Sequence, residues 1–598
     1  MTDKERKKSS GMFFSSFIKT NKWRYLSGII LLIGVNILQL MLPRITGNAV
    51  NSMVYSGGNQ NMLTYSGIII AIALLAFVLQ YLSRIQLIGA SNLFDFILRN
   101  KMFMHLTLLP QRFFDKNGVG DLMALLVNDV RAVRMALGRG IIITINTIVL
   151  STASVIIMSK TMSLKMALFL LAPFPLLILI ILKTGVVINK RFKKVQESFA
   201  ALTRKVQENI SGIRIIKAFV QEEAEISNFS KLNNENYRIN MNLVKVQSAF
   251  SPFIQLILNL SYLAVLYYGG LMTIEGTITI GDFVAFNSYI AIILRPVRNI
   301  GALVSIIQRA RASYSRISEL LSEKTIDEQE CLHNNQNKGD QQNITTGLKG
   351  KIEFRNLSYR YNNGGQEVLK NINLTIEPGK TLGIVGRIGS GKTTLVNLLL
   401  KLYEVEERGK LFIDGKDIKD IPHKVVRDSI GYVPQDNVLF SRKIKDNIAF
   451  SPKKSSIKEI EKAAKISKIY DDIMDTHDKF DTILGERGIN ISGGQKQRIS
   501  IARALIKDPS ILILDDCLSA VDTNTEKEIM KNLKSIMKGR TCIIIAHRIS
   551  AVMDADEIIV LEKGKIAERG THEELIDKMG IYYKMYLRQL LEEKVINL

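Results

Sequence analysis

The chain has 598 residues, 80 Lys+Arg against 56 Asp+Glu, and a formal net charge of +24. Its 47% hydrophobic content excludes disorder as the main state, and three scattered cysteines, Cys331, Cys517 and Cys542, exclude a disulfide-stapled secreted scaffold. The basic excess leaves two classes open, a nucleic-acid binder or a membrane protein whose cations mark the cytoplasmic side.

Residues 1–24 are basic around a short apolar stretch, Met12–Ile18. They read as an amphipathic helix on the inner membrane face rather than a cleavable signal peptide. Long apolar runs then fill residues 25–321: Tyr25–Pro43, Leu63–Leu82, Gly140–Met158, Leu164–Lys183, Phe253–Met272 and Ile280–Val304. Each has about 20 residues, enough to cross roughly 30 Å of hydrocarbon as a helix. The sixth is the weakest, with Asp282, Asn287 and Arg295 in or beside it.

Lys and Arg crowd the segments 84–137 and 188–247, whereas Arg44 and Lys160 are almost the only cations on the opposite connections. This bias places both termini and both long loops in the cytoplasm. The loops read as helical extensions of the spans with a short element at each tip. A polar stretch, 322–350, reads as a flexible linker. Residues 351–598 alternate strand-like and helix-like segments with glycine-rich turns, a soluble α/β domain. With many cations beside apolar spans and no recognition motif, nucleic-acid binding is excluded.

Three runs in the last domain carry chemistry. Gly386-Arg387-Ile388-Gly389-Ser390-Gly391-Lys392-Thr393 fits the phosphate-binding loop pattern; it follows an apolar strand, Thr381–Val385, and opens a helix at Thr394. Backbone N–H groups and the helix N-terminus cradle phosphates there. Lys392 neutralises the β- and γ-phosphates, and Thr393 ligates Mg²⁺. A second strand, Ile511–Leu514, ends in Asp515 and Asp516; Asp515 is placed to hold Mg²⁺ at a strand's carboxyl end. Between them, Ile491-Ser492-Gly493-Gly494-Gln495 precedes a helix-like run, Ile499–Ile506. This is another anion cradle. A chain with one phosphate loop has little use for it unless it serves the nucleotide of a neighbouring molecule.

At these residues the sequence resembles an ATP-binding cassette (ABC) exporter half-transporter, over essentially the whole chain. The resemblance implies an all-α six-helix transmembrane domain fused to a P-loop α/β nucleotide-binding domain. It implies that two chains clamp two ATP molecules, each between one P-loop and the other chain's Ser492–Gln495 signature. Tyr361 matches the aromatic residue that stacks on adenine, and Gln435 the loop glutamine that senses Mg²⁺. Gly485-Glu486-Arg487-Gly488 looks like the exporter-specific loop, Ser519-Ala520-Val521-Asp522 the loop that crosses the dimer interface, and His547 the switch histidine at the γ-phosphate. The loop tips Phe114–Asp121 and Ile213–Ala218 lie where the family places its coupling helices.

One position departs from the family. Its general base is a glutamate directly after the Mg²⁺ aspartate; here it is Asp516. Aspartate is one methylene shorter, so its carboxylate falls roughly 1.5 Å short of the attacking water. A positioned general base contributes about 10²–10⁴-fold, so this chain's own site is expected to bind ATP and hydrolyse it slowly. The pattern resembles the degenerate-site subunit of heterodimeric bacterial multidrug exporters, which implies a partner half-transporter carrying the glutamate and a small amphiphilic substrate. Two alternatives remain, a homodimeric lipid or drug flippase with a competent Asp516, and an ATP-binding regulatory subunit. Polar groups in the spans, such as Asn36, Gln39, Gln80, Asn146, Gln255, Asn259, Tyr262 and Asn287, line a cavity or bond between helices. The histidines lack ligand spacing, and no metal beyond Mg²⁺ is expected.

Overall fold

The computed structural model describes residues 14–56, 59–161, 174–326, 328, 347–361, 365–450, 455–485 and 488–596. They divide into two compact units, one drawn from residues 1–107 and 117–323 and the other from 108–116 and 324–598.

The first unit is helical. Its long helices are α1 (Lys22–Ser56), α2 (Asn59–Thr107), α3 (Ile141–Thr161), α4 (Phe174–Ser211), α5 (Glu222–Ile274) and α6 (Ile280–Ser322). At 1.5 Å per residue, α2 and α5 run roughly 70–80 Å. That far exceeds a bilayer's hydrocarbon, so they carry the extensions expected of the long loops. Among the described residues, four stretches are long and apolar enough to span: Lys22–Tyr55, Met62–Thr107, Val119–Lys160 and Gln255–Ile274. The sixth expected span has a shorter apolar part among the described residues, Ile280–Ile293, its start made polar by Asp282. The fourth, Leu164–Lys183, begins outside the described residues. On α2 the exposed residues include Ile70, Leu74 and Phe77, a surface that hydrocarbon accepts and water does not.

Polar groups in this unit bond between helices. Asn36 is buried and donates to Asn146 Oδ1 at 3.1 Å, and Tyr289 donates to the Leu40 carbonyl at 2.9 Å. Helices α1 and α6 approach through two glycines: a Cβ on Gly47 would lie 2.5 Å from the Gly281 carbonyl oxygen. Asn51 seals the contact, accepting from Gly281 N–H at 2.7 Å and donating to Thr279 Oγ1 at 2.9 Å. Thr279 caps α6 in a reciprocal pair with Asp282. Ahead of α3 the helix widens into two π turns, Leu125–Asp129 and Ala136–Gly140. Asp129, in the first, is buried and accepts from Ser313 (2.8 Å) and Arg316 (2.9 Å) of α6. The second tip carries a short helix, Ile213–Ala218, where the sequence places one; at the first, the expected Phe114–Asp121 is split between the helices Gln111–Lys116 and Val119–Ala124.

The second unit is α/β. Strands β1 (Ile352–Tyr359), β2 (Leu369–Ile376), β4 (Leu411–Ile413) and β5 (Lys416–Asp417) form an antiparallel sheet in the order β2-β1-β4-β5. The main sheet runs β10-β9-β3-β8-β7-β6, with β3 (Thr381–Gly386), β6 (Ile430–Val433), β7 (Ile511–Asp515), β8 (Thr541–Ile545), β9 (Glu557–Glu562) and β10 (Lys565–Gly570). From β6 to β9 it is parallel; only β10 is antiparallel. Strand β7 is buried throughout, as expected of a parallel strand covered on both faces. One face packs Ile513, Ile543 and Leu395 into a core with the antiparallel sheet, and the other packs Leu512, Leu514 and Ile544. A separate core, including Leu439, Ile448, Phe480 and Ile499, supports the helices ahead of the signature. Leu108–Lys116 belongs to this unit, where Tyr403 donates to Asp115 Oδ2 at 2.8 Å.

Candidate functional site

The parallel strands bring their carboxyl ends together, with Val433 beside Leu514, Asp515 beside Ile545 and Ile384 beside Ile545. The loops after β3, β6, β7 and β8 therefore converge, as open parallel sheets require of a ligand crevice. They carry the P-loop, Gln435, the Asp515–Asp516 pair and His547.

The P-loop turns sharply after β3. A Cβ on Gly386 would collide with the Leu561 carbonyl oxygen, and Gly391 has φ +102° with Leu369 Cδ2 only 2.8 Å from a would-be Cβ. Only glycine fits both positions. Arg387, Ile388 and Gly389 are exposed, whereas Ser390, Gly391, Lys392 and Thr394 are buried and Thr393 is half-buried. Lys392 Nζ donates to the carbonyls of Gly386 (2.8 Å) and Arg387 (3.0 Å), and burial lowers its pKa. Ser390 Oγ is buried with no protein partner, a hydroxyl available to a phosphate oxygen. Lys392 opens α7 (Lys392–Leu399), so the helix's first N–H groups face the loop. Tyr361 meets Thr394 Oγ1 at 2.9 Å and lies edge-on to Tyr403, ring centroids 4.9 Å apart.

Asp515 closes β7 and is 1% exposed. Burial pushes its carboxyl up to about 6, against the hydrogen bond from Thr393 and the charge of Lys392. Its Oδ2 is buried without a partner. A buried carboxylate with an orphaned oxygen, bonded to the P-loop threonine, suits a divalent cation. Asp516 is half-buried at φ +46°, its N–H bonded to the Ile545 carbonyl at 2.9 Å. It lines a cavity of about 80 Å³ with Ser519, Glu526, His547 and Arg548. Cys517, in the same wall, is buried and its thiol is pushed up to about 12; a thiol held protonated is no nucleophile. Gln435 is exposed just beyond β6.

The signature starts helix α8 (Gly493–Leu505), earlier than the run from Ile499 suggests. Ser492 and Gln495 form a capping box: Ser492 Oγ accepts from Gln495 N–H (3.2 Å) and Gln495 Oε1 from Ser492 N–H (3.0 Å). Gln495 Nε2 also donates to Asp472, which pairs with Arg498 at 2.7 Å. Burial alone would raise the Asp472 pKa; these bonds outweigh it and lower it. Ser492 and Gly493 stay exposed, so their backbone is open to an anion.

The loop Ser519–Asp522 is tied to the signature helix. Gln497 Oε1 accepts from Ala520 N–H at 3.0 Å, and its Nε2 donates to Ser519 Oγ at 3.2 Å. A Cβ on Gly494 would lie 3.0 Å from the Ala520 carbonyl oxygen. Sequence reasoning missed Gln497 and Glu526. Both are nearly fully buried polar residues, and the signal for Gln497 was its place one helical turn beyond the glycines. Of the exporter-specific loop, Glu486 and Arg487 lie outside the described residues.

A parallel-sheet P-loop cassette with a second helix-capped glycine cradle, fused to membrane-length helices, defines an ATPase of the transport class. Residues 25–297 match the family described as "ABC transporter transmembrane region" and residues 369–519 match "ABC transporter". The chain is 37% identical to the "Probable multidrug resistance ABC transporter ATP-binding/permease protein YheI" of Bacillus subtilis, over 98% of this chain and 97% of that protein. It is 34% identical to the "Multidrug resistance-like ATP-binding protein MdlA" of Escherichia coli, over 96% and 95%. A solved bacterial Atm1-family ABC exporter with ATP bound superposes with a TM-score of 0.75 at 26% identity, covering 95% of this chain and 98% of that one. The chain belongs to the ABC transporter family, as an exporter-type half-transporter whose ATPase is coupled to transport.

Proposed function

We propose that this chain is one half of a dimeric exporter that moves small amphiphilic molecules out across the cell membrane, and that its own ATP site hydrolyses slowly. Relatives named for multidrug resistance and, at 35% identity over 83% of this chain, for lipid A-core flipping support an amphiphilic cargo. Both termini and the cassette lie in the cytoplasm, on the side marked by the basic loops.

In this reading, Tyr361 stacks on adenine while the P-loop amides, Ser390 and Lys392 hold the phosphates. Thr393, Asp515 and Gln435 would hold Mg²⁺, which when bound would supply neutralisation of phosphate charge. His547 meets the γ-phosphate, and Asp516 faces the attacking water. Ser492, Gly493, Gly494 and Gln495 complete the ATP site of the partner chain.

The observation that carries the slow-site reading is Asp516 itself, a short carboxylate where the family has glutamate. The partner is then a different half-transporter bearing that glutamate. The test is vanadate-sensitive ATP turnover of the purified chain in lipid nanodiscs, beside Asp516→Glu. The expected result is low turnover that rises at least tenfold in the variant, within the range of a restored general base. Robust turnover by the unaltered chain, unimproved by glutamate, returns the homodimeric flippase.

A further inference from the structure

The C-terminal helix α10 (Ile581–Ile596) is fixed at its start. Glu568 of β10 accepts from the N–H groups of Ile581 and Tyr582, the latter at 3.0 Å, satisfying two otherwise orphaned helix donors. The Tyr582 side chain is 0% exposed, and its hydroxyl meets His572 Nδ1 at 2.7 Å. Seven residues on, Gln589 lies on the same helix face and reaches the loop after β8. Its Nε2 donates to the His547 carbonyl at 2.6 Å, and its Oε1 accepts from Ile549 N–H at 2.8 Å. One planar amide thus holds the backbone on both sides of Arg548. Glu526 of α9 (Thr523–Met537) also holds this loop, bonding Arg548 and accepting from Ser550 Oγ at 3.3 Å.

We propose that Gln589 is a positioning residue for His547, making the C-terminal helix part of the ATPase site. The proposal rests on the reading above that His547 meets the γ-phosphate. Gln589 touches no reacting atom. It fixes the carbonyl and the next-but-one N–H around the histidine, and so the direction in which the imidazole leaves the carboxyl end of β8. The amide supplies one donor and one acceptor, each used once. Glutamate in its place keeps the acceptor for Ile549 and turns a carboxylate on the His547 carbonyl. Methionine keeps the length and loses both bonds. Misplacing a catalytic group by about 1 Å costs on the order of 10²-fold, so loosening this loop reads out in chemistry before it reads out in binding.

The test uses the full chain in lipid nanodiscs, with Gln589→Met, Gln589→Glu, His547→Ala and the Gln589→Met/His547→Ala double variant. Two quantities are measured: the single-turnover rate of Mg·ATP hydrolysis and the ratio of ATP to ADP affinity, which needs no hydrolysis. Gln589→Met and Gln589→Glu are expected to lower the rate about tenfold and narrow the ATP-over-ADP preference, with ADP affinity unchanged. In the double variant the Gln589 change adds no further loss, the signature of one residue acting through another. An equal loss on the wild-type and His547→Ala backgrounds makes Gln589 merely structural and overturns the proposal, as does wild-type behaviour of both Gln589 variants. If His547→Ala itself moves neither quantity, the reading of His547 fails and the positioning role falls with it. Should the methionine variant not fold, the glutamate variant, on both backgrounds, decides.

Discussion

Asp515 and Asp516 are neighbours with opposite demands. Asp515 is buried with its own Oδ2 unpartnered, while Asp516 sits at φ +46°, a region that aspartate enters more easily than longer side chains. The backbone that aims Asp516 at the cavity is therefore one that its own side chain tolerates well. Asp515 carries a pH signature. Its carboxyl rises from 3.8 to about 6, chiefly through burial. Between those values the unfolded chain has lost the proton that the folded chain keeps. Stability from this group is thus full below about pH 4, falls as pH rises to about 6, and stays reduced above it, by on the order of 2–3 kcal/mol. Asp515→Asn removes that cost. Without Mg²⁺, the variant is expected to melt above the wild type at pH 7.5, with a smaller gap at pH 5, and to lose stabilisation by Mg·ATP. Thermal melts at both pH values with EDTA check it; an equal gap at both contradicts the titration of Asp515. At this scale the sequence discloses what is local. The P-loop, the Asp515–Asp516 pair and the signature are contiguous runs whose spacing is their chemistry. Gln497, Glu526 and Gln589 act across 22, 24 and 42 residues of chain, and only the fold sets such pairs.

Elements follow the same division. The P-loop strand and helix fall within two residues of the expected bounds, because apolar runs flanked by glycine mark them. Helix α8 starts earlier than expected, since the Ser492–Gln495 capping box draws two glycines, each about 1 kcal/mol unfavourable in a helix, into the first turn. In the first unit, hydropathy discloses spans but not how they meet. The crossing of α1 and α6 depends on Gly47 and Gly281, and a Cβ on Gly281 would collide with the Gly47 carbonyl oxygen. Lipid offers no hydrophobic drive for helix association, so close backbone approach and the Asn51 bonds hold this contact. Gly281→Val is therefore expected to separate the helices and lower the melting temperature of the detergent-purified chain by several degrees, as a 1–3 kcal/mol overpacking penalty implies. Gly301→Val, where a Cβ meets nothing within 4 Å, is the control and leaves melting unchanged. Equal effects of the two place the cost in the valine, not in the crossing.

The whole molecule carries one P-loop and one signature, and the signature's cradle is not spent on its own chain: Ser492 and Gly493 are exposed while Gln495 and Gln497 are occupied holding the turn and the Ser519–Asp522 loop. If that cradle serves a second chain, complementation between variants has a definite pattern. Two differently tagged copies are co-expressed and isolated through both tags, and Mg·ATP occlusion is measured, a readout that slow hydrolysis at Asp516 does not obscure. Pairing Lys392→Ala with Ser492→Arg leaves one intact site when sites form in trans, made from the second copy's P-loop and the first copy's signature. Pairing an unaltered chain with the double variant leaves none. If sites formed within one chain, the two pairings would exchange results. Where two copies of the chain pair, the expected outcome is occlusion in the first pairing, at about half the unaltered level, and its loss in the second. Failure to recover any doubly tagged assembly, even from unaltered copies, means that the chain does not pair with itself. The partner that completes the site is then necessarily another half-transporter.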